Sequence, residues 1–497
     1  MAAVVLLAGP TVLAFFSGGY FAGARAGAGI GAWLLVAVAA LVGRQRAARW
    51  AAPARVGPGA VGRDVAAWLA IGGLAGLAGW TLLSLLWAPV AGNAYAAGQI
   101  VVLYLGALTA AVLLLRAPAV QAWVEPALAA GALIVTGYGL SERMLPGLLH
   151  FARSVSAQGR LQQPLTYWNA IGELAAVGFV LCAGVAGNGR RPAWQRVAAA
   201  AATAPLGLGV YLSFSRGALF ACLAGLVALV VAARTWDQLQ AAVVAVAAGV
   251  LACVPAAPSA GVTALAGPLS TREREGAITL AVLVVVMLVA GAAQKVLAGR
   301  SARGRLRLPR HATLIATVLI CAGLAGAIVV GAKETSGQAA LSGGATRLVS
   351  LQSNRYDYWD VALRTFATSP LRGVGAGGWS VYWLRWRTVN EFAQNAHSLE
   401  LETLADLGVV GLALLLAFFA GVVMSARRAL AAGRAVAGPV AALVVYVAHS
   451  PLDWDWQMPA VTLVAIVLAG QLLATAAGEL GGRSGVRAPR RSAAPPA

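Results

Sequence analysis

Apolar runs of about 20 residues, separated by short polar connections, repeat along the whole chain. A run of that length is enough to cross the hydrocarbon core of a bilayer as one helix. The pattern therefore predicts an all-α, polytopic membrane helix bundle with about 14 transmembrane helices. The expected spans are Val4–Phe21, Ala26–Val42, Ala66–Trp87, Ala97–Leu115, Ala122–Leu140, Trp168–Gly187, Val197–Phe214, Gly217–Ala233, Leu239–Val254, Gly276–Leu297, Ala312–Val330, Leu399–Met424, Ala435–Val447 and Met458–Ala477.

The connections between these runs alternate between arginine-rich and arginine-poor. Residues 43–65, 190–196, 300–310 and 427–434 belong to the arginine-rich set. The positive-inside rule places that set in the cytoplasm, so both termini are expected to be cytoplasmic. The first apolar run lacks the positively charged start of a signal peptide, and we expect it to be retained as a helix.

One outward connection, residues 331–398 between the eleventh and twelfth spans, is long enough to form a partly helical subdomain. An apolar stripe at three- and four-residue spacing predicts an amphipathic helix over Arg355–Thr368, with Asp360 and Arg364 placed for an ion pair. The stripe consists of Tyr356, Trp359, Leu363 and Phe366. We therefore expect a membrane domain over residues 1–477 that includes this subdomain, and a disordered cytoplasmic tail over residues 478–497.

Composition supports a membrane protein and excludes a soluble one. Hydrophobic residues make up 60% of the chain, charged residues 11%, and the mean hydropathy is +0.78. Soluble domains carry roughly 25% charged residues. The net charge of +20 is spread over short loops and forms no basic stripe interleaved with aromatic residues. It therefore indicates contact with membrane lipids and not with nucleic acid.

Arg216 is the first candidate for chemistry. It lies in a tight turn between two apolar helices on the arginine-poor side. The N-terminus of the following helix and a guanidinium both favour an anion, so a phosphate could be held there. The alternative is an interfacial arginine that reaches lipid headgroups.

The outward connection is the second candidate. From residue 331 to residue 398 it carries seven basic and four acidic residues, a net charge of +3, and four tryptophans: Trp359, Trp379, Trp383 and Trp386. Arginines bind phosphate, and indoles stack on sugar rings or lie at the bilayer interface. The alternative is a loop that rests on anionic headgroups.

His397 is the third candidate, at the point where the outward connection re-enters the membrane. The ordinary pKa of histidine lies near neutrality, so the side chain can act as a base, although a single histidine is commonly structural. The segment His449–Trp456, also on the outer side, contains Asp453 and Asp455. These carboxylates could bind a divalent cation, balance the basic loop or cap the last helix.

Several of these segments resemble the O-antigen ligase and O-antigen polymerase superfamily. Residues 213–218 resemble its S-x-S-R-G-A turn, and residues 355–359 with 370–375 resemble its R-x-x-x-W and P-L-x-G-x-G segment. Residues 396–399 with 405–411 are similar to its A-H-N-x-x-L and E-x-G-x-x-G signature, and residues 160–169 to a weaker upstream element. Ser398 replaces the usual Asn, and Asp406 the common Glu.

The resemblance implies an inverting, metal-independent glycosyltransferase of the GT-C type that needs no cofactor. Its donor would be a polyprenyl-diphosphate-linked glycan, used at the outer face of a bacterial cytoplasmic membrane. Its acceptor would be a hydroxyl of a polysaccharide, a lipid-linked glycan or a protein. In this reading Arg216 and Arg355 bind the diphosphate, and His397 positions or deprotonates the acceptor. The substrate-binding residues would be Arg160, Asn169, Trp359, Arg372 and Asp406, with no metal ligand.

Three functions stay open at this point. The leading one is a surface polysaccharide ligase or polymerase, because two guanidiniums in a partly dehydrated cavity stabilise a departing diphosphate. A protein O-oligosaccharyltransferase shares the same signatures. A lipid-linked oligosaccharide flippase or other transporter fits the helix number. However, the charged residues of a flippase should lie at mid-membrane depth, whereas the candidate Arg and His residues of this chain are expected at the outer edge.

Overall fold

The computed structural model describes residues 1–49, 65–300 and 354–483. Within these residues the protein is 78% helical and has no strands, which confirms the predicted all-α class. Helices α1 to α8 are Ala2–Ala14, Ala22–Arg49, Val65–Leu83, Ala91–Leu114, Pro118–Met144, Trp168–Gly187, Ala193–Leu212 and Arg216–Ala233. Helices α9 to α16 are Trp236–Cys253, Ala260–Thr263, Leu269–Arg300, Arg355–Thr368, Trp379–Trp386, Leu399–Ala431, Ala437–His449 and Pro459–Arg483.

Among the described residues, ten helices are long and apolar enough to cross a membrane. They are Ala22–Val42, Val65–Leu86, Ala91–Leu114, Pro118–Met144, Trp168–Gly187, Arg216–Ala233, Trp236–Cys253, Leu269–Gly299, Leu399–Ala431 and Pro459–Ala476. Helices α1 and α15 are shorter apolar helices. Every predicted span overlaps a helix except Ala312–Val330, which lies outside the described residues.

Helices α6 and α16 form the centre of the bundle, since the apolar stretch of each helix is wholly buried. Small residues allow neighbouring helices to approach closely, which favours packing inside a membrane. A Cβ added at Gly184 of α6, for example, would lie 3.1 Å from the Cα of Gly438 in α15. Helix α16 continues to Arg483, so the chain is still helical beyond residue 477, where the tail was predicted to begin.

Helix α12 has the bounds predicted from sequence, but its buried face differs from the predicted stripe. The buried residues are Tyr358, Val361, Ala362 and Thr365, whereas Leu363 of the stripe is 50% exposed. The reason is tertiary: Tyr358 packs edge-on against Trp379 and Trp383 of α13. The Asp360–Arg364 ion pair forms at 3.5 Å.

Trp379 and Trp383 belong to the buried apolar cluster formed by residues 358–405. Both are fully buried, and their rings stack with centroids 5.5 Å apart. They are therefore not exposed platforms for a sugar ring or for lipid headgroups.

The glycine-rich segment 370–375 pairs with an interruption in α14. Gly408 lies in the left-handed region with φ of +67°, which turns the backbone out of the helix there. Four N–H to carbonyl bonds then join the two segments: Val374 to Ala405 (3.1 Å), Gly375 to Asp406 (2.8 Å), Val409 to Pro370 (2.9 Å) and Val410 to Leu371 (3.3 Å). The two family-like motifs thus form one backbone-bonded unit.

Candidate active site

A salt bridge between Arg355 and Asp453 lies at the centre of the candidate site. Arg355 begins α12, and its Nη2 is 2.7 Å from Oδ2 of Asp453, in the turn between α15 and α16. Asp453 is fully buried, and the Arg355 side chain is 17% exposed. Burial alone would raise the pKa of Asp453, but Arg355 and the nearby histidines hold it below its usual value. Conversely, Asp453 outweighs burial and raises the pKa of Arg355. Both groups are therefore charged at neutral pH.

Tyr167 occupies the other oxygen of Asp453. Its hydroxyl donates to Oδ1 at 2.7 Å and accepts a bond from Nδ2 of Asn169, also at 2.7 Å. Burial, followed by the charge of Asp453, raises the pKa of Tyr167, so the phenol keeps its proton. Asn169, which we predicted to bind substrate, is buried and donates this bond to Tyr167.

His397 lies beside this salt bridge in a left-handed conformation with φ of +52°. The next residue, Ser398, caps α14 by accepting a bond from the N–H of Leu401. The imidazole stacks on Tyr358 at 4.9 Å and meets the edge of Trp454 at 6.4 Å.

The environment of His397 favours a neutral ring with a basic Nε2. Nδ1 lies 3.0 Å from the carbonyl oxygen of Asn395 and donates to it, because a carbonyl only accepts. In the neutral tautomer Nε2 is then the basic atom. Burial lowers the pKa of His397, with Asp453 and Arg355 acting on it in opposite directions.

Arg216 lies near the same segment of the chain, at the start of α8. It is half-buried and is the first residue of that helix, after a turn in which Phe214 has φ of +47°. The neighbouring Gly217 packs against the ring of His449, since a Cβ there would lie 2.9 Å from it. The positions of Arg216, Arg355 and His397 therefore all border the segment His449–Trp456.

The remaining predicted residues divide into two groups. Trp359 adjoins His397, since its Nε1 is 3.4 Å from the carbonyl oxygen of that residue. Arg160 is buried, with its guanidinium 4.1 Å from the ring centroid of Trp168. Arg372 and Asp406 belong instead to the glycine-rich unit.

In that unit both carboxylate oxygens of Asp406 accept backbone N–H groups, from Gly377 at 2.6 Å and Trp379 at 2.8 Å. Arg372 is exposed and lies 5.5 Å from the ring centroid of Trp87. Asp406 thus shapes the loop, while the Arg355–Asp453 pair lies elsewhere.

Two residues of the site escaped the sequence prediction. Tyr167 was part of a motif without a role, and Asp453 was left between three roles. One of those three roles was to balance the basic loop, but the charge pattern could not assign Arg355 to one of two aspartates two residues apart. The fold distinguishes the two aspartates: Asp453 pairs with Arg355, whereas Oδ2 of Asp455 lies 2.5 Å from Nδ1 of His449.

A cavity of about 1630 Å³ runs along α14 next to this site. It is lined mainly by apolar residues of α8, α14, α15 and α16. Glu400, in the first turn of α14, lines one part of it. Arg434, after the last turn, lines another, together with Arg190 and Arg234. The cavity therefore extends along most of a membrane-spanning helix.

Residues 259–416 match the family model described as O-antigen ligase. The chain carries an O-antigen ligase domain. That domain covers about a third of the chain and includes Arg355, His397 and Asp406, while Arg216 and Asp453 lie outside it. The match supports the O-antigen ligase and polymerase superfamily. No curated protein matches the chain.

The O-antigen ligase domain indicates ligase- or polymerase-type glycosyl transfer in general terms. The O-antigen ligase family implies, in the same general terms, that lipid-linked glycans and polysaccharides are the partners. With ten apolar helices of spanning length, it also indicates a multi-pass membrane protein.

Proposed function

We propose that this protein transfers a glycan from a polyprenyl-diphosphate donor to an acceptor hydroxyl at the outer face of a bacterial cytoplasmic membrane. It would act as a surface polysaccharide ligase or polymerase. The observation that carries the proposal is the buried Arg355–Asp453 pair near His397, in a chain with an O-antigen ligase domain.

The donor diphosphate would be bound by Arg355 and Arg216. A guanidinium has five donors in a planar fork and can serve more than one acceptor. Asp453 holds Arg355 in place, and the N-terminus of α8 adds its own attraction for an anion beside Arg216. Charge that develops on the departing diphosphate meets donors already in position. A diphosphate is a weak base, so the step needs no general acid.

The acceptor hydroxyl would lose its proton to Nε2 of His397. This base is competent because its pKa is lowered and its Nδ1 is fixed as a donor to Asn395. The alkoxide oxygen then attacks the anomeric carbon from the face opposite the diphosphate, which inverts the configuration. No metal ion takes part in this step.

The long apolar cavity would receive the polyprenyl chain of the donor. Hydrocarbon chains bind by burying apolar area, at about 0.8 kcal/mol per CH₂. Glu400 lines the cavity only three residues after His397 in the chain, so the cavity approaches the reacting groups. This arrangement supports a lipid-linked donor over a soluble nucleotide sugar.

Two alternative functions are compatible with the same observations. A protein O-oligosaccharyltransferase would use this chemistry on a protein hydroxyl. A flippase is favoured by one feature, the extension of the cavity along most of α14 between Glu400 and Arg434. Proteoliposomes separate the two activities, because a flippase moves labelled lipid-linked glycan across the bilayer without forming a bond.

The direct test is reconstitution with a defined polyprenyl-diphosphate oligosaccharide and candidate acceptors. Wild-type protein should form a product of inverted anomeric configuration, and Arg216→Ala, Arg355→Ala and His397→Ala should abolish transfer. Arg364→Ala is the matched control, because Arg364 lies on the same helix as Arg355 in an exposed pair. Wild-type rates in all three site variants would remove the assignment of the site.

A further inference from the structure

A second cluster of ionisable groups lies near the Arg355–Asp453 pair. Glu173 comes from α6, His449 ends α15, and Asp455 lies in the turn before α16. All three side chains are fully buried. Nδ1 of His449 is 2.5 Å from Oδ2 of Asp455 and 3.4 Å from Oε2 of Glu173.

The cluster has more acceptor atoms than partners. Both carboxylate oxygens of Glu173, Oδ1 of Asp455 and Nε2 of His449 are buried without a hydrogen-bond partner in the part of the chain that the structure describes. Unsatisfied groups of this kind are costly in a protein interior, and charged ones most of all. Within the same residues, the ion-pair partner of both carboxylates is one imidazole. When both carboxylates are ionised, one imidazolium cannot balance their charge.

We propose that Glu173, His449 and Asp455 bind one divalent first-row cation, Zn²⁺ or Mn²⁺. One ligand atom from each residue lies within 4.8 Å of the others. Imidazole and carboxylate ligands bind such ions at about 2.0–2.2 Å, so the 2.5 Å contact between His449 and Asp455 would have to open to admit the ion. The ion would balance the charge of the two carboxylates. It would also coordinate carboxylate oxygens that have no hydrogen-bond partner. Glycosyl transfer does not use it, because the donor diphosphate is assigned to the arginines.

The ion would act as a structural link between three parts of the site. It ties α6 to the end of α15 and to the turn that carries Asp453. Gly217, beside Arg216, packs on the ring of the same His449. From the sequence, Asp453 and Asp455 were possible cation ligands, whereas Glu173 and His449 were not, and the family resemblance implies no metal site here. The inference does not depend on the proposed function.

Metal content of the full chain tests the inference. The protein is purified without a polyhistidine tag, treated with a chelator in lipid nanodiscs, reloaded with Zn²⁺ or Mn²⁺ alone and freed of excess ion. Elemental analysis should find about one equivalent per chain, and the loaded protein should have a higher Tm. Glu173→Gln and Asp455→Asn keep the side-chain shapes and should lower the affinity at least roughly tenfold.

Asp360→Asn is the control, since Asp360 is an exposed carboxylate of the outer subdomain. It should bind the ion as wild type does. If folded wild-type protein takes up neither ion after reloading, the inference is wrong. The carboxylates would then be neutralised by protons and not by a metal ion. Undiminished binding in both cluster variants would overturn the inference equally. No substrate is present, so the result is separate from any failure of the transfer assay.

Discussion

The contact between Arg355 and Asp453 is the most informative single contact, because it should contribute both to stability and to binding of the donor. Asp453 accepts from Arg355, Tyr167 and the N–H of Trp454, so its buried charge is well supported. Removing one partner of a buried ion pair leaves the other uncompensated. Stability and activity can therefore be separated at this contact.

Arg355→Ala should destabilise the protein by about 3 kcal/mol, the lower end for a broken buried pair because Arg355 is partly exposed. Adding Asp453→Asn removes the stranded charge and should restore most of that stability. It should not restore transfer, because the guanidinium that binds the donor is still missing. Equilibrium unfolding in mixed micelles, paired with the transfer assay, measures both effects. A double variant that regains activity would show that Arg355 acts only through stability.

His397 gives a prediction in pH. The base works in its neutral form, and burial lowers the pKa of His397 below the ordinary value of 6.5. The neutral form therefore persists at pH 6.5 and is lost as the pH falls through the lowered pKa. We expect kcat/KM to be level above pH 6.5 and to drop tenfold per pH unit well below the inflection. The Arg364→Ala control should share this profile, and an inflection above pH 6.5 would contradict the assignment.

At the scale of elements, sequence periodicity located helices well and faces poorly. The bounds of α12 followed from spacing, yet its buried face is set by Trp379 and Trp383, which lie in a different helix. The partners of Asp406 show the same limit, because its carboxylate accepts from backbone groups of a distant loop that the sequence pattern does not pair with it. Such pairings depend on tertiary contacts that a one-dimensional pattern does not contain.

The interruption of α14 at Gly408 is an element that can be tested directly. Its φ of +67° and ψ of −166° belong to glycine alone, and a Cβ there would lie 2.6 Å from the N of Gly373. Gly408→Ala should cost about 1–3 kcal/mol from the backbone alone and loosen the pairing with residues 370–375. Gly79→Ala, in the open interior of α3, is the control and should be neutral or slightly stabilising. Thermal unfolding compares the two, and equal Tm values would show that the interruption is dispensable.

At the scale of the whole molecule, the helix bundle contains a long cavity of about 1630 Å³. Helices α8, α14 and α15 contribute to its wall, so the bundle encloses space instead of closing completely. Sequence could not reveal this space, because a residue that lines a cavity and one that faces lipid are equally apolar. Val227 of α8 lines the cavity, whereas Val243 of α9 is 61% exposed and does not.

Val227→Trp should therefore separate binding of the lipid chain from chemistry. A bulky side chain in the cavity should raise the KM for a long polyprenyl donor roughly tenfold, about 1.4 kcal/mol of binding, with little change in kcat. A short-chain donor that does not fill the cavity should be transferred as by wild type. Val243→Trp adds the same bulk on an exposed face and should change neither donor. If Val227→Trp slows both donors equally, the cavity does not hold the polyprenyl chain and the donor must lie along another face of the bundle.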